Sequence, residues 1–326
     1  MNSGKQTTLA DRIDLSGVGV HSGKPVSISL IPADVDTGVV FNRSDLPLSM
    51  QKDIPAIASS VGATALCTVL GDPSGVNVMT VEHLMAALMG LNIDNVLVEV
   101  GSAEIPVMDG SSEVFVDAID KVGIRLQNRN RRYLRVLKEV RFESGASWGK
   151  FTPSDVTRFE VEIDFEEDLI GRQSFASDMT PDVFRKEISR ARTFGFMKDV
   201  ERYWAAGFAL GSSLENSVVI GDDNTIINPE GLRYKDEFVR HKTLDAVGDL
   251  ALAGAPILGC YTSYRGGHMV NAMALEKLLS DPANYEWTDS TGASAQLSAK
   301  SSLSARSKSS AGLVAVASPA YGPDKN

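Results

Sequence analysis

The chain passes twice through one order of signals: alternating apolar segments, then a helix-like segment carrying a histidine, then a glycine and another apolar run. In the first half the helical segment is Val81–Met89 with His83, closed by Gly90 and followed by Val96–Val100. In the second it lies near Glu237–Ala253 with His241, followed by Ile257–Tyr264. Alternation at period two fits half-buried strands, and apolar spacing near 3.6 fits one face of a helix. A chain that meets both conditions twice is confined to sheets packed on helices, which points to a duplicated unit. Residue identity between the halves is too thin to define a repeat.

Within that plan, Arg12–Val20 and Pro25–Pro32 read as strands joined by His21-Ser22-Gly23-Lys24, a hairpin turn composition. Residues 38–43 give a further strand, Thr80 can cap the helix that follows it, and Val114–Lys121 fits a second helix. Residues 127–132 are polar, basic and unpatterned, and are expected to link an N-terminal α/β domain (1–126) to a C-terminal one (133–279). The second domain opens with strands Tyr133–Phe142 and Arg158–Phe165, and Pro181 suits the first turn of a helix. From 280 to 326 the chain is Ser/Ala/Lys-rich and is expected to be poorly ordered.

At 326 residues the chain has room for two domains, and 43% hydrophobic with 23% charged residues is ordinary for a globular protein. A formal charge of −10 argues against a general nucleic-acid partner while leaving room for a local basic pocket. The first residues lack the apolar stretch of a signal peptide, and the longest apolar run, Ala246–Cys260, is broken by Asp249, Gly254 and Pro256. The two cysteines, Cys67 and Cys260, have apolar neighbours and read as buried thiols in a reducing compartment, hence the cytoplasm. Nothing suggests an obligate oligomer, so a monomer is expected.

Only four histidines are available for chemistry. His241 and Asp245 are four apart on an expected helix, so their side chains lie one above the other. Such a pair either chelates a cation or merely stabilises the helix by about 0.2–0.5 kcal/mol. Glu82 and His83 sit in a first helical turn and diverge by roughly 100°, so one can ligate a metal while the other reaches a bound water. The helix N-terminus favours neutral imidazole there, although a capping glutamate beside a buried histidine fits the same residues. Two histidines, one aspartate and an open position make a catalytic zinc site, and the same donors admit Fe2+. His268 follows Gly266-Gly267 at an expected strand end, on a loop, and His21 has no chemical role that its position suggests.

The segments SGVGVHSGKPV (16–26), TVEHLMAAL (80–88), IDNVLVEV (93–100), EIPVMDGSS (104–112), ARTFGF (191–196), LENSVVI (214–220), RHKTLDAVGDL (240–250) and GGH (266–268) occur in that order. Together they resemble the bacterial UDP-3-O-acyl-N-acetylglucosamine deacetylase family of lipid A biosynthesis, from about Thr8 to His268. The resemblance implies an α+β fold of two similar two-layer α/β sandwich domains with the active site at their interface. It implies His83, His241 and Asp245 as zinc ligands, Glu82 as general base and His268 as general acid oriented by Asp249. Thr193 would join zinc in holding the oxyanion, and Lys242, Phe194 and Gly267 would meet substrate. An insert between Gly195 and Gly211, with Phe196, Met197, Tyr203, Trp204, Phe208 and Leu210, would form a passage for the acyl chain. The implied reaction is the committed deacetylation of lipid A synthesis: hydrolysis of the substrate acetamide to acetate and UDP-3-O-acyl-glucosamine. Two other readings use the same residues: a zinc amidase for another N-acetylated sugar, or a non-catalytic metal-stabilised binding protein. The ARTFGF match and apolar insert weigh against the first, and Glu82 with His268 against the second.

Overall fold

The computed structural model describes residues 4–289. Strand β1 (Lys5–Leu9) is followed by the hairpin β2 (Ile13–Val18) and β3 (Pro25–Pro32), paired antiparallel from Ile13↔Leu30 to Val18↔Pro25. Then come β4 (Val39–Arg43), β5 (Ile54–Pro55), β6 (Val61–Ala63), β7 (Val69–Gly71) and β8 (Asn77–Val78). Helix α1 (Glu82–Gly90) leads to β9 (Val96–Val100), and α2 (Glu113–Val122) to β10 (Ile124–Asn130). A five-stranded sheet has the order β2-β3-β9-β4-β5, and β6-β7-β8 form a smaller one.

The second part begins with β11 (Arg132–Val136), β12 (Val140–Ser144), β13 (Ser147–Thr152), β14 (Thr157–Asp164) and β15 (Arg172–Asp178). After α3 (Pro181–Val183) and a π-helical turn, β16 (Phe194–Phe196), α4 (Met197–Ala205) and β17 (Val218–Ile220) precede α5 (Glu237–Leu250). Strand β18 (Ile257–Tyr264), α6 (His268–Leu279) and β19 (Tyr285–Asp289) complete the described chain. The seven-stranded sheet runs β12-β13-β18-β11-β19, with β14 also on β18 and β15 on β14. Strand β18 alternates strictly, burying Ile257, Gly259, Tyr261 and Ser263 and leaving the residues between them half-buried. The molecule is thus an α+β fold in which each large sheet has its own helices.

The two parts meet where α1 packs on α5. Both helices are buried almost all round, so neither turns an exposed polar face to solvent. Their approach depends on Gly248, where a Cβ would come within 2.0 Å of the Glu82 carbonyl oxygen. Leu84, Leu88, Leu244 and Val247 join one apolar core that continues into both sheets.

Several expectations are corrected. Residues 127–130 are not an unpatterned link but part of β10, paired with β1, and Arg131 is a fully buried anchor. Its guanidinium spans the Asp94 carboxylate at 2.8 and 2.9 Å, and this bidentate pairing offsets the cost of burying a cation that composition alone would leave in solvent. The expected strand 133–142 is broken in two at Leu137–Glu139. Thr80 does not cap α1; it adopts φ 58° and turns its hydroxyl to Glu104, while Val81 takes the cap position without a side-chain bond. At Pro181 the expected helix start holds, and Thr180 supplies the cap, accepting from the Val183 amide at 3.2 Å. Tail residues 285–289 form a strand on β11 with Arg132 stacked over Trp287, a run too short to show a period among its polar neighbours. The rest of the expected tail, 290–326, lies outside the described residues. Cys67 is buried as expected, but Cys260 is only half-buried.

Candidate metal centre

Helix α5 repeats every 3.6 residues, so His241 and Asp245 project from one face, and their Nε2 and Oδ1 atoms lie 3.4 Å apart. From the opposing helix α1, His83 Nε2 reaches the same Oδ1 at 3.6 Å. The three donor atoms all lie within 4.8 Å of one another, and all three residues are buried. Asp245 Oδ1 and His83 Nδ1 are buried without a hydrogen-bond partner. A buried carboxylate oxygen with no donor is costly unless a cation neutralises it, so the donor set fits a metal ion. The Ala191 carbonyl lies 3.0 Å from His241 Nδ1 and assigns the proton to that nitrogen, which leaves Nε2 as a lone-pair donor facing Asp245. Burial lowers His241 to about 4 against the pull of Asp245, so the ring is neutral, the form a metal requires. Asp245 stays well below the usual carboxylate range; burial alone would raise it, but His241 and Lys242 outweigh that.

Beside these donors stands an acid–base pair. Glu82 opens α1 and His268 opens α6, with Nε2 and Oε1 3.7 Å apart. His268 is therefore not on a loop: the two glycines end at a helix start, and His268 is the first residue of α6. His268 Nδ1 lies 2.9 Å from Asp249 Oδ2. Burial favours the neutral ring, yet Asp249 and then Glu82 dominate and push it up to about 10. Burial raises Glu82 in turn, against the attraction of His268 and His83, which makes it a stronger base than a solvated glutamate.

Three groups that sequence reasoning did not single out complete this pair. Thr68 donates its hydroxyl to Asp249 Oδ1 at 2.6 Å and its amide to Glu82 Oε2 at 3.1 Å. Asn271 donates to Asp249 Oδ2 at 2.8 Å, and Tyr261 donates to Asn271 Oδ1 at 2.8 Å. Asn271 is three residues after His268, so a helical reading of that segment would have brought it to the same face. Thr68 lies 181 residues from Asp249 and nothing local marks it.

The remaining expected residues cluster nearby. Thr193 is half-buried two residues after Ala191, tied by its amide to the Gly110 carbonyl at 2.8 Å. Phe194 lies 6.2 Å from the His241 ring, and Lys242 Nζ sits 5.8 Å over Phe194 and 3.4 Å from Asp245 Oδ2. This segment is clamped by Arg192, buried with Glu237 at 2.9 Å, a pair the sequence did not suggest. Gly267 caps α6 in extended geometry. His21, at the hairpin tip, is buried edge-on against Phe208 of the insert at 5.3 Å. Burial lowers its pKa.

A two-part α+β fold with a His-His-Asp donor set beside a paired carboxylate and imidazole is the arrangement of a mononuclear metal-dependent hydrolase. The chain belongs to the UDP-3-O-acyl N-acetylglycosamine deacetylase (LpxC) family, whose sequence profile matches residues 6–280. Proteins named UDP-3-O-acyl-N-acetylglucosamine deacetylase from Brucella ovis and Brucella canis are each 59% identical to it over 281 residues, covering 86% of this chain and 97% of theirs. That of Brucella melitensis is similar to the same extent, 59% over 281 residues. No helix among the described residues is long and apolar enough to cross a membrane.

Proposed function

We propose that this chain hydrolyses the acetamide of UDP-3-O-acyl-N-acetylglucosamine, releasing acetate and UDP-3-O-acyl-glucosamine for lipid A synthesis. The observation that carries the reading is His268 held between Asp249 and Glu82 alongside three convergent donors, His83, His241 and Asp245. Zinc bound by those donors supplies a Lewis acid for the amide carbonyl and acidifies water; Fe2+ satisfies the same donors. Glu82 takes the proton of the attacking water. The Thr193 hydroxyl donates to the oxygen that gains charge at the acetyl carbon, a contact type worth about 3–4 kcal/mol. His268, protonated through its contact with Asp249, gives its proton to the departing amine. Lys242, Phe194 and Gly267 line the substrate side.

The insert supports an acyl-bearing substrate over a plain N-acetyl sugar. Helix α4 buries no residue fully, and Met197, Trp204 and Leu210 are 45%, 53% and 52% exposed. Apolar surface of that kind next to a polar site suits an alkyl chain. On the same reading the enzyme works as a monomer. The unpaired cysteines favour a reducing cytoplasm. We place the division between the two domains between β10, which pairs with β1, and β11, with β19 belonging to the second.

The test is acetate release from UDP-3-O-acyl-N-acetylglucosamine before chelation, after it, and after zinc return. Activity is expected to vanish on chelation and to come back with zinc. Turnover that survives complete metal removal would sink the proposal.

A further inference from the structure

Glu104 has no part in the chemistry above, yet it is completely buried and fully engaged. It is brought beside α1 by backbone bonds, Met79 N to the Ala103 carbonyl at 2.8 Å and Ile105 N to the Met79 carbonyl at 3.0 Å. Its Oε1 accepts from the His21 amide at 2.8 Å and the Thr80 hydroxyl at 3.2 Å. Its Oε2 accepts from the Ser22 amide at 2.9 Å and the Ser22 hydroxyl at 2.6 Å. A buried carboxylate met by two N–H and two O–H donors is a stiff joint between the segments that supply them.

One of those segments leads into α1 and the other holds the insert. Thr80 lies two residues before Glu82 and holds φ 58°, an unfavourable conformation for a β-branched residue that needs support from its surroundings. The turn at His21 and Ser22 carries the end of the insert: Leu210 N donates to the His21 carbonyl at 3.1 Å, Gly211 N to the Val20 carbonyl at 3.0 Å, and Ala209 N to His21 Nδ1 at 3.4 Å. The stacking has no slack. A Cβ on Gly211 would come within 2.4 Å of the Gly19 carbonyl oxygen, and one on Gly19 within 2.2 Å of Glu104 Oε2.

We propose that Glu104 is a positioning residue for acyl recognition, fixing the apolar insert relative to α1 so that a bound acyl chain delivers its acetamide to Glu82 and His268. This rests on the reading of the insert as an acyl-binding surface. Loss of the joint then uncouples chain binding from chemistry, while the metal donors and the acid–base pair keep their own supports.

Two variants test it. Glu104→Gln keeps the shape but turns one acceptor into a donor facing donors, and Ser22→Ala removes one hydroxyl and leaves the backbone bonds. The measurement is kcat and KM for acetate release from UDP-N-acetylglucosamine carrying either a long 3-O-acyl chain or a 3-O-acetyl group, with metal content alongside. For Glu104→Gln, kcat/KM on the long-chain substrate is expected to fall about ten- to hundred-fold, with little change on the O-acetyl substrate and full metal content. Ser22→Ala should lose less in the same direction, and it decides the matter if Glu104→Gln does not fold. Equal losses on both substrates, or none on either, would overturn the assignment. A wild-type chain that releases no acetate from either substrate refutes the proposed function itself, and this inference with it.

Discussion

At the scale of single residues, the acid and base are separable from the metal donors. Glu82→Ala is expected to retain metal and to lose about 100- to 10,000-fold in acetate release, because its carboxylate touches His268 and Thr68 and is not a convergent donor. His241→Ala should lose the metal as well, since it removes one of three buried donors. Elemental analysis beside an acetate assay distinguishes the two, and near-normal turnover in the Glu82 variant would refute its role as base. For His268 the sign of the pH effect follows from its shift. Its pKa rises from 6.5 to about 10 on folding, so protonation stabilises the native state fully below 6.5, and that contribution fades as pH rises through about 10. Asp249→Asn removes the largest of the upward pulls. The alkaline limb of kcat/KM should therefore move to lower pH in that variant, as a pH–rate profile would reveal, and an unmoved limb would refute Asp249 as the group that holds the proton.

The elements that matter most are α1 and α5, because each donor's direction is set by how closely the two helices pack. Gly248 has helical geometry and no unusual φ; it is small because the Glu82 carbonyl occupies the space a methyl would need. Gly248→Ala is expected to cost about 1–3 kcal/mol in urea unfolding and to weaken metal affinity, since relief comes only from moving His83 away from His241 and Asp245. A variant with the wild-type midpoint and wild-type metal binding would show that the helices have room that the geometry denies.

Across the whole molecule, the metal would join the two parts of the chain, His83 coming from the first and His241 and Asp245 from the second. Binding to the native state alone stabilises by mass action, about 4 kcal/mol at a thousand-fold excess over Kd. Removing the ion should also leave Asp245 Oδ1 buried without a partner. Calorimetry is expected to give a Tm roughly 10 °C lower after chelation, restored by zinc. Equal melting with and without chelator would mean that the ion is not bound between the two parts.

The sequence by itself determined the alternation of sheet and helix, the His241–Asp245 face, and the hairpin at His21, because each depends on periods and turns spanning a few residues. It also carried the ordered motifs that brought Glu82 and His268 into view. What it did not determine were contacts between distant segments. Thr68 on Asp249, Ala191 on His241 and Glu104 under the hairpin turn are set only when α1, α5 and α6 converge, and no local pattern encodes that convergence. The basic run at 127–132 misled for the same reason: a charged residue reads as solvated until the fold supplies the carboxylate, here the half-buried Asp94, that pairs with it. His268 shows both sides, since Gly266-Gly267 marked the place, and tertiary structure made it a helix start with two carboxylates to hold its proton.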